Sequence, residues 1–457
     1  MKQFDAIIIG TGQAGPSLAA RCANEGLKTA VIERDKFGGT CVNTGCTPTK
    51  ALVASARAAH MANRMSDFGV DIDGSISVDM EKVKARKDTI VKESTEGVEN
   101  WLKSTENLTV YEGHARFEDE KVLSVGDEKL TADKIFINVG GRAFIPSGFE
   151  EVDYLTNSSI MELDEVPEHL IIVGGGYIGL EFGQMYSRFG SKVTIIEQGN
   201  RLLPKEDEDV SNAIQEILED EGIDFRFNAE CIGGSNKDRQ VIVDVNCEEG
   251  PPQVTGSHLL LATGRRPNTD DLGLENTTIK TDERGFIQVD DQLQTTADDI
   301  WALGDCNGEG AFTHTAYNDF EIVAANLFDD NPRRLSDRIM CYGLYIDPAL
   351  GRVGMTEAQA KESNRNVLIG KRPMSRIARA KEKGETKGFM KILIDADTQK
   401  ILGAAILGIE GDEIVHSIID MMYADEPYTT IRDAVHIHPT VSELIPTMLE
   451  NLEPLEQ

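Results

Sequence analysis

Hydrophobic residues along the chain form short blocks of two alternating kinds. Continuous apolar runs, such as residues 6–9 and 170–173, are typical of strands that are buried on both faces of a parallel sheet. Each run is followed by a segment whose apolar residues recur at helical spacing, which predicts an amphipathic helix. This alternation of strand and helix predicts an α/β fold with doubly wound, Rossmann-like sheets.

One strand–turn–helix–strand unit occurs twice, at residues 6–33 and 170–197. In each copy a GxGxxG turn follows the first strand, and a glutamate ends the second strand. The first glycine permits a tight bend, the second lets a pyrophosphate approach, and the third lets helix and strand pack closely. The glutamate accepts hydrogen bonds from ribose hydroxyls. The predicted dinucleotide-binding residues are Gly10, Gly12, Gly15, Glu33, Gly174, Gly176, Gly179 and Glu197.

The remaining pattern divides the rest of the chain. The pattern predicts helices in residues 51–105 and short strands in residues 107–140 and 223–263. After residue 336, strands at 340–346, 388–394 and 401–408 precede helices at 410–424 and 440–452. The basic run at 376–387 is interpreted as a solvated hairpin. We expect segments 1–147 and 267–335 to form one domain, interrupted by a second at 148–266, with a third at 336–457.

Composition excludes several classes of partner. The chain has 457 residues and a formal net charge of -32. Such an acidic protein is not expected to bind nucleic acid or an anionic membrane surface. No apolar run approaches the ~20 residues that span a bilayer, and residues 6–9 are too short for a signal-peptide core. We therefore expect a cytoplasmic protein, in which a close cysteine pair is catalytic or metal-binding rather than structural.

Such a pair is present at Cys41 and Cys46, just downstream of the first glycine-rich turn. A disulfide requires Cα atoms ~4.4–6.8 Å apart, so the chain must fold back between the two cysteines, and Gly45 permits this. Pro48 suits the first turn of a helix, which places Cys46 at the helix N-terminus. The helix dipole and Lys50 would then lower the pKa of that thiol. The pair is predicted to exchange electrons with a bound cofactor.

Two further motifs carry candidate chemistry. His438 and Glu443 form an imidazole–carboxylate pair suited to general acid–base catalysis, although spacing alone does not decide between His438 and His436. Asp305 follows a strand that ends at Gly304, and ligands of open α/β sheets bind at the carboxyl ends of strands.

Together these motifs resemble those of the class I pyridine nucleotide-disulfide oxidoreductases, which include dihydrolipoamide dehydrogenase, glutathione reductase and mercuric reductase. The resemblance extends from about residue 4 to residue 450 and also includes the sequence Ala-Thr-Gly-Arg at 262–265. It implies two Rossmann-like dinucleotide-binding domains and a C-terminal α+β dimerisation domain.

The resemblance also implies cofactor sites. The first glycine-rich turn and Glu33 match an FAD site, and Asp305 matches the residue that holds the flavin ribityl chain. The second turn and Glu197 match a nicotinamide dinucleotide site. Tyr177 matches a tyrosine that covers the flavin until nicotinamide enters. The other positions that match cofactor-binding residues are Thr40, Lys50, Ala115, Gly140 and Gly264.

For catalysis, the resemblance assigns unequal tasks to the two cysteines. Cys46 matches the thiol that contacts the flavin, and Cys41 matches the thiol that exchanges with substrate. Lys50 and Glu181 match an ion pair beside the flavin. His438, not His436, matches the catalytic base, and Glu443 matches the acid that orients it. Because this base serves the disulfide of the other subunit in the family, a homodimer is implied.

The sequence limits the choice of nicotinamide nucleotide and of electron acceptor less strictly. Glu197 favours NAD(H) over NADP(H), and Arg201 and Lys205 are the only basic residues within the next eight positions. The closest resemblance is to the mercuric-reductase-like branch, which includes reactive-chlorine-resistance flavoproteins that reduce copper(II). However, the last cysteine is Cys341, so the C-terminal pair of mercuric reductases is missing. No resident metal is predicted.

The predicted reaction is NAD(P)H-dependent reduction of a disulfide or a thiol-reactive metal ion, with FAD as cofactor. One alternative is a dihydrolipoamide dehydrogenase, which shares the His-x-His-Pro-Thr sequence found at 436–440. A second alternative is a flavin-bound redox sensor with little turnover. A sensor needs no positioned base, so His438 argues against it.

Overall fold

The computed structural model describes residues 1–247 and 250–456. Its elements begin with the first predicted strand–helix–strand unit and the helices and strands after it. They are β1 (Lys2–Ile9), α1 (Gly15–Asn24), β2 (Thr29–Glu33), α2 (Gly39–Asn43), α3 (Cys46–Asn63), α4 (Met80–Ser104), β3 (Leu108–Glu112), β4 (Ala115–Asp119), β5 (Val122–Val125), β6 (Glu128–Ile137) and β7 (Gly141–Ala143).

The second predicted unit and the strands that follow it come next. They are β8 (His169–Val173), α5 (Tyr177–Phe189), β9 (Lys192–Ile196), α6 (Glu208–Glu219), β10 (Asp224–Arg226), β11 (Glu230–Lys237), β12 (Gln240–Asn246), β13 (Gln253–Gly256), β14 (His258–Leu261) and β15 (Arg265–Pro267).

The last elements return to the first sheet and then build a separate C-terminal sheet. They are β16 (Ile300–Ala302), α7 (Thr313–Phe328), β17 (Cys341–Leu344), β18 (Leu350–Gly354), α8 (Glu357–Glu362), β19 (Val367–Pro373), α9 (Ala378–Glu382), β20 (Phe389–Asp395), β21 (Ile401–Leu407), α10 (Gly411–Ile414), α11 (His416–Tyr423), α12 (Thr429–Arg432), α13 (Leu444–Leu449) and β22 (Glu453–Pro454).

The first sheet has the strand order β3-β2-β1-β6-β5-β4, and β16 pairs with β6. Strands β3, β2, β1, β6 and β16 run parallel. The order in which the strands follow one another across the sheet reverses at β1, because β2 lies on one side of β1 and β6 lies on the other. Crevices at such points are where open α/β sheets bind ligands, and the turn after β1 opens into this one.

A smaller parallel sheet, in the order β10-β9-β8-β14, contains the second unit. Strand β8 is its equivalent of β1, because it lies between β9 and β14. An antiparallel sheet of β11, β12 and β13 packs beside it. The two parallel sheets confirm the prediction of two Rossmann-like units.

The C-terminal sheet is antiparallel, in the order β17-β18-β21-β20-β19-β22. Every residue of β20 and β21 is buried, because α11 and α13 cover one face and the α5 region covers the other. This architecture confirms the predicted α+β C-terminal part. The domain boundaries proposed from the sequence stay predictions. Among the described residues, no helix combines the length and apolar character that crossing a bilayer requires.

Several sequence predictions need correction. Strands β18 and β19 were not predicted, since a buried arginine and a terminal Lys-Arg-Pro interrupt their apolar pattern. Segment 376–387 contains the short helix α9 and no hairpin. The helix predicted at 410–424 is divided into α10 and α11, and the one at 440–452 is limited to α13. The residues between α3 and α4 include a non-helical stretch with left-handed Gly69 and Gly74.

Candidate active site

A single cavity of about 1100 Å³ extends from the turn after β1 to the cysteine pair. Its walls come from the first parallel sheet, the N-termini of α3, α5 and α7, and strand β17. The predicted site residues that line it are Gly10, Gly12, Glu33, Thr40, Cys41, Cys46, Lys50, Ala115, Gly140, Tyr177, Glu181 and Asp305.

The three glycines of the first turn differ in what an added side chain would meet. A Cβ at Gly10 would lie 2.3 Å from the carbonyl oxygen of Asn138, and one at Gly15 would lie 2.2 Å from that of Gly10. A Cβ at Gly12 would meet the protein no closer than 3.4 Å. Gly10 and Gly15 are therefore required by internal packing, whereas Gly12 leaves room on the cavity side.

Two side chains that the sequence did not single out hold this turn. The Asn138 amide donates to the carbonyl oxygens of Gly10 at 3.2 Å and Gly12 at 3.1 Å. The backbone and hydroxyl of Thr11 donate to Glu33, at 2.9 and 2.5 Å. These bonds orient the Glu33 carboxylate at the end of β2, where it lines the cavity.

Asp305 lies at the opposite wall, just after β16. Burial raises the pKa of its carboxyl group, and the Arg265 guanidinium, 3.6 Å away, opposes that rise. The preceding residue, Gly304, donates its N–H to the buried Asp319 carboxylate at 2.7 Å. Asp319 also pairs with Arg338. Asp319 thus fixes the turn that presents Asp305 to the cavity.

The two cysteines lie on consecutive helices. Cys41 is in α2, Cys46 is the first residue of α3, and both are thiols. The chain folds back at Gly45, where a Cβ would lie 2.8 Å from the carbonyl oxygen of Thr40. The predicted position of Cys46 at a helix N-terminus is therefore found in the structure.

The surroundings of the two thiols make them unequal. The pKa of Cys46 is lowered to about 6 by a hydrogen bond with Cys41, which is the largest factor, together with Thr313 and Lys50, while burial opposes them. The same Cys41–Cys46 hydrogen bond and burial raise the pKa of Cys41. The Thr313 hydroxyl oxygen lies 3.0 Å from the Cys46 sulfur. Cys46 is therefore the thiolate of the pair near neutral pH, and Cys41 keeps its proton.

Lys50 and Glu181 form the predicted ion pair, with 2.6 Å between Nζ and Oε2. The second oxygen of Glu181 accepts the backbone N–H of Tyr345 at 2.9 Å. The ammonium of Lys50 also lies 4.2 Å from the centre of the Tyr345 ring. Tyr345 is thus a further part of this wall that the sequence had not identified.

Tyr177 is the first residue of α5, and its ring lies 5.6 Å from that of Phe312. Burial raises the pKa of its phenol. Helix α5 therefore contributes Tyr177 and Glu181 to the cavity, although it begins at the second glycine-rich turn.

The second glycine-rich turn repeats the packing of the first. A Cβ at Gly174 would lie 2.5 Å from the carbonyl oxygen of Ala262, and one at Gly179 would lie 2.1 Å from that of Gly174. For Gly176 and for Gly264, no atom of the described residues lies within 4 Å of such a Cβ. These two positions are open, as a bound dinucleotide requires.

Whereas Glu33 is the last residue of β2, Glu197 follows β9 directly. Its two carboxylate oxygens accept the backbone N–H groups of Gly175 and Gly199, each at 2.7 Å. Arg201 instead donates to the carbonyl oxygen of Pro204 at 2.9 Å. None of these residues lines the cysteine cavity.

His438 and Glu443 form the predicted pair, with the imidazole Nδ1 3.0 Å from both carboxylate oxygens. However, His438 does not line the cysteine cavity, and its side chain is 77 % exposed. The neighbouring Val435 and Ile437 are also exposed, at 101 % and 81 %. One chain thus exposes the imidazole beside two apolar side chains, outside the cavity that contains its own thiols.

Three acidic side chains outside the cavity, those of Asp207, Asp209 and Glu357, come close enough together to suggest a cation site. The ammonium of Lys391 already lies between them, at 2.8, 2.7 and 2.5 Å. Arg352 also pairs with Asp207, and Lys371 with Asp209, so three cations of the protein balance the three carboxylates.

Comparison with known proteins agrees with this arrangement. The family model described as pyridine nucleotide-disulphide oxidoreductase matches residues 4–319, and the dimerisation domain of that family matches residues 340–449. The probable pyridine nucleotide-disulfide oxidoreductase RclA of Escherichia coli is 38 % identical over 97 % of this chain and 98 % of its own length.

Two other similar proteins carry the names of different enzymes. The dihydrolipoyl dehydrogenase of Bacillus subtilis is 34 % identical, over 97 % of this chain and 96 % of its own. A mercuric reductase of Staphylococcus aureus is 30 % identical, over 95 % of this chain and 81 % of its own. The solved structure of the HOCl-induced flavoprotein disulfide reductase RclA from E. coli superposes with a TM-score of 0.89, at 36 % identity and covering 98 % of this chain and 99 % of that one.

The matched domains cover most of the chain, and the RclA protein and the dihydrolipoyl dehydrogenase are matched along nearly their whole length. Members of this family are flavoproteins that use FAD together with a pyridine nucleotide. The cavity, the thiol pair and the two glycine-rich turns are consistent with that chemistry. This chain is therefore an oxidoreductase that belongs to the pyridine nucleotide-disulphide oxidoreductase family.

Proposed function

We propose that this protein uses NAD(P)H and FAD to reduce a disulfide or a thiol-reactive metal ion through Cys41 and Cys46. The observation that carries the proposal is the shared cavity. It brings the first glycine-rich turn, the thiol pair and the Lys50–Glu181 ion pair to one continuous wall. A thiol pair next to a dinucleotide cradle is the arrangement that electron transfer between cofactor and disulfide requires.

The cavity fits FAD. Its volume suits an extended dinucleotide, and Gly12 leaves room beside the turn for a pyrophosphate. Glu33 would hold the adenosine ribose, and Asp305 would hold the ribityl chain. Thr40, Ala115 and Gly140 line the space between them. When bound, the flavin accepts a hydride and passes two electrons to a disulfide.

The two thiols divide the exchange reaction. Two electrons and one proton convert the Cys41–Cys46 disulfide into a thiolate at Cys46 and a protonated thiol at Cys41. Once deprotonated, Cys41 attacks an acceptor disulfide, one thiol leaves, and Cys46 then displaces the second thiol and restores the pair. For copper(II) as substrate, the same two electrons reduce two ions to copper(I).

The base for Cys41 is proposed to come from a second copy of the chain. His438 is oriented by Glu443 but is exposed beside Val435 and Ile437, which would be buried in a dimer. The dimerisation-domain match at residues 340–449 supports this arrangement. In such a homodimer, His438 of one copy accepts the proton of Cys41 in the other.

NAD(H) is proposed as the preferred nucleotide. The Glu197 carboxylate is fixed by two backbone N–H groups at the end of β9. There it can accept a 2′-hydroxyl and repel a 2′-phosphate. Arg201, which could have offset that repulsion, is instead bonded to the carbonyl oxygen of Pro204.

The acceptor is proposed to meet Cys41 directly, because no cysteine follows Cys341 in the sequence. The RclA protein of E. coli has been solved as a Cu(II) complex, at a TM-score of 0.90 and 35 % identity to this chain. This relationship makes copper(II) the first acceptor to test, ahead of lipoamide.

The decisive experiment measures NADH oxidation by the purified holoenzyme with Cu(II), Hg(II), lipoamide and small disulfides in turn. We expect at least one acceptor to stimulate turnover. Cys41→Ser should abolish that stimulation while leaving electron transfer to an artificial dye, which needs only the flavin. If no acceptor stimulates turnover, the redox-sensor alternative is favoured.

A further inference from the structure

The Thr313 hydroxyl lies 3.0 Å from the Cys46 sulfur, across 267 positions of sequence. Thr313 is the first residue of α7, so it reaches the thiol from a different element than Lys50 does. A thiolate has no proton to donate, whereas a threonine hydroxyl carries one donor hydrogen. When Cys46 is ionised, Thr313 must therefore be the donor of this bond.

We propose that Thr313 is a further catalytic residue, whose hydroxyl donates a hydrogen bond to the Cys46 thiolate and stabilises its charged form. This inference rests on the proposed redox function of the cysteine pair. It concerns only the stabilisation of one thiolate and involves no additional chemical step. Hydrogen bonds to charged groups are stronger than those between neutral groups, so one donor has a measurable effect.

A threonine at the start of a helix usually serves the helix itself, as a cap for exposed N–H groups. In α7 that task falls to Thr315. Its hydroxyl accepts the N–H of Phe312 at 3.1 Å and donates to the Phe312 carbonyl at 2.8 Å. The capping contacts of Thr315 leave the Thr313 hydroxyl available for Cys46.

Packing holds Thr313 in place. The ring of the preceding residue, Phe312, stacks between His314, at 5.4 Å and 8°, and Tyr342, at 5.5 Å and 5°. The Tyr342 hydroxyl in turn donates to Glu206, which is 4 % exposed. The start of α7 is therefore fixed by a stack that is anchored to a buried carboxylate.

Other groups also act on Cys46 and must be separated from Thr313. Cys41 and Lys50 lower its pKa from the α2–α3 side. Besides burial, the negative charge of Cys46 in turn raises the pKa of Tyr177 and of Tyr345, which also line the cavity. Thr313 also lowers the pKa of Cys41, so its effect on Cys46 is isolated only when Cys41 is replaced before the Thr313 hydroxyl is removed.

The test uses the holoenzyme with Cys41→Ser, which leaves Cys46 as the only thiol of the pair. The long-wavelength absorbance of a thiolate against oxidised flavin is titrated with pH. We expect Thr313→Val, which removes the hydroxyl at nearly constant volume, to raise the midpoint by about one pH unit. Thr313→Ser, which keeps the hydroxyl, should return the midpoint close to that of the parent.

Thr89→Val is the matched control, because that hydroxyl bonds the carbonyl oxygen of Ala85 on an exposed face of α4. It should leave the midpoint unchanged. Equal midpoints for Thr313→Val and Thr313→Ser would overturn the inference while leaving the proposed function intact. If the parent itself lacks the absorbance, the flavin–thiolate arrangement fails; the pH dependence of Cys46 alkylation then still tests Thr313.

Discussion

At the scale of single residues, the cysteine pair shows how local surroundings give two identical side chains different chemistry. Cys46 has a helix N-terminus, a lysine one turn later and a hydroxyl from α7, whereas Cys41 is a half-buried hydrogen-bond partner of that thiol. Each neighbour of Cys46 favours the charged form, and their sum outweighs the burial that opposes it. The pair is therefore asymmetric before any substrate binds.

The first prediction follows from the pKa of Cys46, which is lowered to about 6. Because a lowered thiol pKa keeps the thiolate above that pH, the long-wavelength absorbance of the two-electron-reduced enzyme should be present at pH 8. It should fade as the pH drops through about 6. Cys46→Ser should abolish it at every pH. Persistence of the band in that variant would contradict the assignment of Cys46.

A second prediction concerns Glu197, whose carboxylate is held at the end of β9. We expect Glu197→Gln to lower the ratio of kcat/KM for NADH to kcat/KM for NADPH about tenfold, because removing the charge removes the repulsion of a 2′-phosphate. Glu216→Gln, on the exposed face of α6, is the matched control and should keep the ratio. An unchanged ratio in Glu197→Gln would mean that another residue selects the nucleotide.

At the scale of elements, the glycine-rich turns join a buried strand to a helix. In both copies the first and third glycines are required by the protein, while the middle glycine leaves space. The GxGxxG pattern alone does not show why the first glycine is required, because its close neighbours, Asn138 and Ala262, follow the distant strands β6 and β14.

The third prediction uses that distinction. Gly12→Ala should fold with near-normal stability but lose FAD affinity by tenfold or more, as its Cβ enters only the cavity side. Gly15→Ala should instead destabilise the apoprotein by about 2 kcal/mol or more, because its Cβ would overlap the Gly10 carbonyl.

The control for both variants is Gly97→Ala, in the middle of α4 with no atom within 4 Å of the added Cβ. It should stabilise the protein by about 1 kcal/mol. Thermal unfolding of the apoprotein and titration with FAD distinguish the three outcomes. Equal stability of Gly12→Ala and Gly15→Ala would contradict the prediction.

At the scale of the whole molecule, the net charge of -32 has a general consequence. Ion pairs such as that between Lys391 and three carboxylates satisfy acids locally, yet a large excess of negative charge remains. Like charges repel one another in the folded state, and added salt screens that repulsion.

The fourth prediction is therefore that KCl stabilises the fold. Raising KCl from about 0.1 M to about 1 M, which shortens the Debye length from ~10 to ~3 Å, should increase the unfolding temperature by several degrees. A neutral osmolyte at matched osmolality is the control for effects other than screening. A fall in unfolding temperature across this range of salt would contradict the argument.

The fifth prediction tests the dimer. If His438 serves the thiols of the other copy, chains with Cys41→Ser and chains with His438→Gln should complement each other when mixed and reassembled. About a quarter of wild-type activity is expected, because half of the dimers are mixed and each has one complete site. A chain carrying both substitutions, mixed with wild type in equal amount, is the control. No complementation would place the base of Cys41 elsewhere.

Much of the fold could be predicted because its signals are local. The strands at 107–140 and the two strand–turn–helix units are found where hydrophobic periodicity places them. Strand β18 was missed because the buried Arg352, paired with Asp207, interrupts its apolar run. A charged residue can be recognised as part of a buried strand only when its ion-pair partner, which is distant in sequence, is known.

The sequence by itself determined the α/β class, the two dinucleotide turns, the thiol pair and the His438–Glu443 pair. Each of these depends on residues within about 30 positions of one another, where spacing dictates geometry. Only the tertiary structure decided that Thr313 meets Cys46, that Asn138 holds Gly10, and that His438 lies outside the cavity of its own thiols. Such contacts join segments separated by more than a hundred residues, and packing rather than local pattern brings them together.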